Sequence, residues 1–125
     1  LSITVVPVYG PVPAGRPVFV MEKPNEYIKV PTDFLKSARF GVRVRGDSMV
    51  GLGIHDGDIL LVRPQNTADH GDIVIARIDG EEYTIKRLNI KNGTPILEPA
   101  NPRYSPIVSE DLHIVGKAVR VVRDL

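Results

Sequence analysis

From residue 42 onward, short apolar runs alternate with turn residues, the pattern of a β-rich chain. Val42-Arg43-Val44-Arg45 alternates apolar and charged side chains, which predicts a half-exposed strand. Asp58 to Val62 reads as a buried strand, opened by His55-Asp56-Gly57 and closed by Pro64. Asp72 to Ile78 is a second such run. Asp79-Gly80-Glu81 then predicts a hairpin turn, with Glu82 to Leu88 as the return strand. Lys91-Asn92-Gly93 marks another tight turn before Thr94 to Leu97. Leu112 to Val122 is a last run rich in valine and isoleucine. Helix patterns are confined to one short turn at Pro31–Leu35 and another at Ser48–Val50. The fold class is therefore mostly β: a compact domain of bent antiparallel sheets.

Residues 1–25 differ from the rest. Pro7, Pro11, Pro13, Pro17 and Pro24 keep this stretch extended and non-helical. Its composition fits a linker arm, and it equally fits a peptide strand held in a cleft. The predicted organisation is an arm over residues 1–25 and one domain over residues 26–125.

Bulk composition narrows the function classes. Hydrophobic residues make up 42% and charged residues 25%, as in an ordinary globular domain. Sixteen basic against fifteen acidic side chains leave +1, which gives no reason to infer nucleic-acid binding by this segment. With no cysteine there is no disulfide, thiolate nucleophile or cysteine–zinc site, and a reducing cytoplasm is the expected location. No apolar run approaches the length of a membrane span, so no membrane association is expected. The start at Leu1 rather than Met predicts a fragment or a processed form, with an N-terminal domain missing.

The candidate chemistry centres on Ser48 and Lys86. A serine and a lysine on separate strands form a minimal peptidase, serine as nucleophile and lysine as general base. Gly46 and the turn around Ser48 suit an exposed hydroxyl with backbone N–H groups near a developing oxyanion. Along Tyr83 to Leu88, parity groups Lys86 with Thr84 and Leu88, and Arg87 with Tyr83 and Ile85. Arginine stays protonated, so only Lys86 can serve as a base. Its pKa must then fall from about 10.4 toward roughly 7, which burial in an apolar site achieves.

A Ser48/His55/Asp56 triad is the competing arrangement. His55 lies in a glycine-rich turn, and His70 and His113 show no metal-ligand spacing with it or with each other. Asp56, Asp58, Asp69 and Asp72 each adjoin a glycine or a turn and fit turn chemistry. No phosphate-binding loop or dinucleotide fingerprint occurs, and neither cofactor nor metal is expected. Arg43 and Arg45 suit an acidic partner or, more simply, the exposed face of an alternating strand.

Four motifs in order carry a family resemblance. Gly46-Asp47-Ser48-Met49, Gly53-Ile54-His55-Asp56-Gly57-Asp58, Gly71-Asp72-Ile73-Val74 and Thr84-Ile85-Lys86-Arg87-Leu88 resemble the LexA/UmuD self-cleaving serine peptidases. The resemblance runs from about Val6 to Arg123, and the Ser48-to-Lys86 separation (86 − 48 = 38) is close to the family's. It implies a compact mostly-β domain with Ser48 as nucleophile and Lys86 as general base. The backbone amides of Ser48 and Met49 would then form the oxyanion hole. Val12-Pro13-Ala14-Gly15-Arg16-Pro17 resembles the LexA cleavage segment and implies a scissile bond at Ala14–Gly15. The arm would then be the enzyme's own substrate. Pro13 is a departure, because LexA proteins commonly carry alanine there and proline lacks a backbone donor.

The same resemblance implies partners. It points to the C-terminal domain of a LexA-type transcriptional repressor of the SOS DNA-damage response. Such a domain would cleave itself on contact with a RecA–single-stranded DNA filament, pair as a homodimer through its C-terminal strand, and reach operator DNA through an N-terminal domain absent here. The Ala14-Gly15 segment and Tyr27-Ile28-Lys29-Val30-Pro31 favour LexA, whereas Asn101 to Ile107 and His70 to Val74 look as much like UmuD, an accessory subunit of a translesion polymerase. A non-catalytic dimerisation module on the same scaffold is the reading from another class. Membrane signal peptidases also use serine and lysine, but no anchor segment is present.

Overall fold

The computed structural model describes residues 2–13, 23–80 and 82–125. Its strands are β1 (Ile3–Pro13), β2 (Glu26–Pro31), β3 (Phe40–Arg45), β4 (Ile59–Pro64), β5 (Ile73–Ile78), β6 (Glu82–Lys91), β7 (Thr94–Glu98) and β8 (Leu112–Val122). The apolar alternation shows directly in burial: in β3, Val42 and Val44 are buried, while Arg43 is half-buried and Arg45 exposed. The two hairpin turns follow their sequence patterns. Asp79 and Gly80 both take left-handed backbone (φ 49° and 95°), as do Asn92 and Gly93 (φ 51° and 78°). Such turns match the right-handed twist of paired strands. The return strand β6 runs three residues beyond the predicted Leu88, because β7 pairs with Arg87–Lys91 and prolongs it.

The mostly-β fold is as expected, and its strands form one mixed sheet of eight in the order β2-β1-β3-β4-β8-β5-β6-β7. All neighbours are antiparallel except β1 and β3. That exception has a topological cause. β2 folds back along one side of β1, and the 32–39 connection then places β3 on the other side, running with β1. The sheet bends at register shifts in the β1–β3, β4–β8 and β5–β8 ladders. At one of these, Gly116 lies so close to β4 that a Cβ would sit 2.4 Å from Val62 Cγ1.

Within the 1–25 arm, Ile3–Pro13 is no free linker. It is hydrogen-bonded on both sides as β1, with Val6, Val8 and Val12 buried. Prolines in this stretch are compatible with strand geometry but not with helix. The single helical turns form at Thr32–Phe34, as expected, and at Val50–Leu52, where the 3-10 turn starts two residues after Ser48. Among the described residues no helix is long and apolar enough to cross a membrane.

Buried valines, leucines and isoleucines form three apolar clusters along the sheet. The largest contains Val12, Val42, Val44, Met49, Ile54, Leu60, Val62, Ile75 and Ile85. It thus holds the immediate chain neighbours of both Ser48 and Lys86.

Asp58 plays a larger part than turn chemistry. Its carboxylate is buried, accepts the His55 N–H at 2.7 Å, and takes two hydrogen bonds of 2.6 Å from the Arg123 guanidinium. This ties the chain just past β8 to the start of β4. The Arg123 hydrogen bonds hold the Asp58 carboxyl below the usual aspartate range, against the opposing effect of burial. A depressed folded-state pKa contributes stability above the unfolded-state value and loses it as pH falls through the folded one. Asp58→Asn is therefore expected to unfold at lower urea than the parent at pH 7, with the gap closing below about pH 4. Urea titrations at pH 7, 5, 4 and 3 check this, and a gap that stays constant to pH 3 would contradict it.

Candidate active site

Ser48 reaches its position through a forced turn. After β3, Gly46 takes φ +91°, a backbone region that side chains with a Cβ seldom adopt. Its N–H donates to Asp56 Oδ1 at 2.8 Å, so Asp56 serves the turn. Two residues beyond Ser48 the chain closes into the Val50–Leu52 turn, and Met49 between them is fully buried in the largest apolar cluster. Burying such a side chain contributes about 1.5–3 kcal/mol, enough to fix the segment against the core. Ser48 itself is fully buried, not exposed as the turn pattern suggested. Turn residues seldom face inward, and here the burial of Met49 draws its neighbour in.

Lys86 approaches from β6. Thr84, Lys86 and Leu88, which share parity, are all buried, as is Ile85, while Arg87 is half-buried and lies 3.8 Å from Glu98. Lys86 stands opposite Val74 of β5, in a part of the sheet lined by Val74, Ala76 and Leu88. Its Nζ lies 3.4 Å from Ser48 Oγ, donates to Thr84 Oγ1 at 2.9 Å and to the Ile85 carbonyl at 3.1 Å. The structure therefore brings the two sequence-predicted residues together across a separation of 38 positions. Only 1% of the Lys86 surface is exposed, and burial pushes its pKa down to about 8. This is less than the fall toward 7 that the sequence argument required. The Thr84 and Ile85 oxygens accept hydrogen bonds from the amine.

Thr84 is the residue that sequence reasoning passed over. It is fully buried and accepts a hydrogen bond from Lys86 Nζ at 2.9 Å. The pattern that could have found it was visible: a threonine two positions before the lysine, on the same face of one strand.

The competing triad is not assembled. His55 is exposed in its turn, its N–H bonded to Asp58, and Asp56 caps Gly46. His70 accepts the Ile90 N–H through Nδ1, and His113 pairs with Asp111 at 2.8 Å. Arg43 is bound to Glu26 and to the Gly57 carbonyl, while Arg45 is exposed. Among the described residues no group of three His, Cys, Asp or Glu side chains is placed to hold a metal ion. The expected scissile bond, Ala14–Gly15, lies outside the described residues.

Comparison with known proteins bears on this geometry. The family model described as Peptidase S24-like matches residues 7–119. The chain is 43% identical over 121 residues to a LexA repressor of Desulfitobacterium hafniense, covering 96% of this chain and 59% of that protein. It is 42% identical over 122 residues to a LexA repressor of Acetivibrio thermocellus, covering 96% and 57%. It is 43% identical over 119 residues to LexA repressor 1 of Nocardia farcinica, covering 94% and 55%. The chain thus spans little more than half the length of these relatives. The chain belongs to the Peptidase S24-like family, the group of self-cleaving peptidases that its ordered motifs resemble.

Proposed function

We propose that this chain is the autoproteolytic C-terminal domain of a LexA-type repressor of the SOS response, with Ser48 as nucleophile and Lys86 as general base. One observation carries the reading: a buried lysine with a depressed pKa stands 3.4 Å from a buried serine hydroxyl. Burying a lysine amine beside a hydroxyl is costly as architecture alone and useful as chemistry. A non-catalytic dimerisation module has no use for that cost. The relatives reported above are repressors, which favours this reading over a UmuD-like polymerase subunit.

The mechanism follows from the two protonation states. Neutral Lys86 takes the Ser48 proton as Oγ attacks the Ala14 carbonyl. The negative oxygen that develops is held by the backbone amides of Ser48 and Met49. The Ala14–Gly15 bond breaks, the Gly15 nitrogen leaves as an amine carrying the proton from Lys86, and Ala14 remains esterified to Ser48. Water, deprotonated by Lys86, then hydrolyses the ester. The β1–β3 ladder supports this choice of substrate. Pro13, the last residue of β1, pairs with Arg45, three residues before Ser48. The substrate bond thus begins one residue beyond a strand that runs toward the nucleophile.

A tethered substrate has a high effective concentration, so the idle state needs a brake. Lysine protonation supplies one. With a pKa of about 8, roughly one Lys86 in ten is neutral at pH 7, against about one in 3,000 for an ordinary lysine. A RecA–single-stranded DNA filament would accelerate cleavage by binding the cleavable arrangement preferentially. Operator binding would belong to an N-terminal domain, and the setting would be the cytoplasm.

Dimerisation through the C-terminal strand also has a structural basis. β8 pairs with β4 along Gly116–Val122, but its pairing with β5 covers only Leu112–Lys117. Beyond Lys117 one edge of β8 is therefore left without a strand partner among the described residues, and Val121 is exposed there. Strand edges of this kind pair readily with a symmetry mate.

Incubation at rising pH, read by intact mass, is expected to yield fragments 1–14 and 15–125. The first-order rate should rise about tenfold per pH unit below pH 8 and level off above it, because the reactive form is neutral Lys86. Ser48→Ala and Lys86→Ala should each lose at least about 1,000-fold, and either variant cutting at the same bond would remove the dyad. Sedimentation equilibrium is expected to show a dimer that Val121→Asp weakens. A monomer at high micromolar concentration would sink the strand-pairing proposal.

A further inference from the structure

The loop after β7 packs against the segment that carries Ser48, with contacts to its backbone as well as to the Asp47 side chain. The Ala100 N–H donates to the Ser48 carbonyl at 2.7 Å, and the Gly51 N–H donates to the Ala100 carbonyl at 2.8 Å. Gly51 permits this approach, since a Cβ there would lie 2.5 Å from the Ala100 oxygen. Asn101 Nδ2 donates to the Asp47 carbonyl at 3.0 Å. The orientation of the Asn101 amide is set in turn by the Arg103 N–H, which donates to Asn101 Oδ1 at 3.0 Å.

Peptide planarity gives these bonds a consequence. The Asp47 carbonyl shares a rigid plane with the Ser48 N–H, and the Ser48 carbonyl shares one with the Met49 N–H. In a trans peptide the two groups point in opposite directions. Holding each carbonyl from behind therefore fixes where each N–H points in front. These are the two amides assigned above to the oxyanion hole. Around them the backbone is otherwise irregular, with Gly46 at φ +91° on one side and a single 3-10 turn on the other. Oxyanion stabilisation depends on donors held in place before charge develops.

We infer that Asn101 is a positioning residue, which with the Ala100 N–H aligns the Ser48 and Met49 amides by gripping the opposite ends of their peptide planes. The inference rests on the Ser48–Lys86 reading. It assigns Asn101 no contact with the arm and no part in proton transfer. Lys86 is bound to Thr84 and Ile85 on β6, apart from this loop, so the pH dependence should not register the loss of Asn101.

The test compares variants of the full chain by self-cleavage rate across pH 6–10. Asn101→Ala and Asn101→Asp both remove the donor to Asp47, and the aspartate keeps an acceptor for the Arg103 N–H. Each is expected to lower the plateau rate about 10- to 100-fold while leaving the pH midpoint in place. Tyr104→Phe is the control. It removes the 2.5 Å hydrogen bond from Tyr104 to the Asp47 side chain in the same loop contact, but touches neither carbonyl. Its rate should stay within about threefold of the parent. Thermal unfolding of each variant establishes that the compared chains are folded, and the aspartate variant decides if the alanine variant is not. Rates within threefold for a folded Asn101 variant would overturn the inference, and so would equal losses in Asn101 and Tyr104 variants. Cleavage that survives Ser48→Ala would instead overturn the dyad on which the inference rests.

Discussion

The burial of Lys86 against Ser48 is the constraint on which the rest depends. A lysine amine taken out of water resists protonation, and a pKa of about 8 in place of 10.5 corresponds to roughly 3 kcal/mol of disfavoured charging. That cost must be met by the surrounding fold. Val74 of β5 stands opposite Lys86 in a buried part of the sheet, and the Thr84 and Ile85 oxygens keep the amine hydrogen-bonded. Without the oxygens, a buried amine would be left to seek water; without burial, it would stay charged. The balance leaves an amine that is mostly protonated at neutral pH, with its pKa at about 8.

Placement of the pair comes from two features of the sheet that are remote in sequence. Met49 anchors one chain segment in the largest apolar cluster, and Ile85 anchors the other in the same cluster. Ser48 and Lys86 are their next-door neighbours, so packing of two apolar side chains fixes the approach of two polar ones. β1 extends the same logic to the proposed substrate. Its parallel ladder with β3 brings residues 12 and 13 alongside residues 44 and 45. The proposed nucleophile, base and substrate strand are thus all positioned by the same sheet and its core.

Much of this was legible in the sequence, for identifiable reasons. Strands β3 to β8 follow from period-2 alternation and from Asp-Gly and Asn-Gly turns, because both depend on local sterics. Lys86 over Arg87 followed from chemistry, since only one of the two can lose a proton. Long-range relations were harder. The parallel β1–β3 ladder is invisible locally, because a proline-rich stretch reads alike as linker or strand until its partner is known. Asp58 looked like an ordinary turn residue, and its burial becomes apparent only when Arg123, 65 positions away, folds back onto it. Thr84 was overlooked because a strand threonine is common, and its meaning depends on the amine beside it. Ser48 was expected at an exposed turn, while the structure buries it through its neighbour Met49.

The proposed chemistry depends on the charge state of Lys86. Its titration can be followed by NMR in chain selectively labelled at the lysine ε-carbon and ζ-nitrogen, with Ser48→Ala used to keep the arm intact. The Lys86 resonance, assigned by its loss in Lys86→Arg, should titrate with a midpoint of about 8. A midpoint near the ordinary lysine value of about 10.4 would show that burial leaves Lys86 charged and would contradict its role as the base.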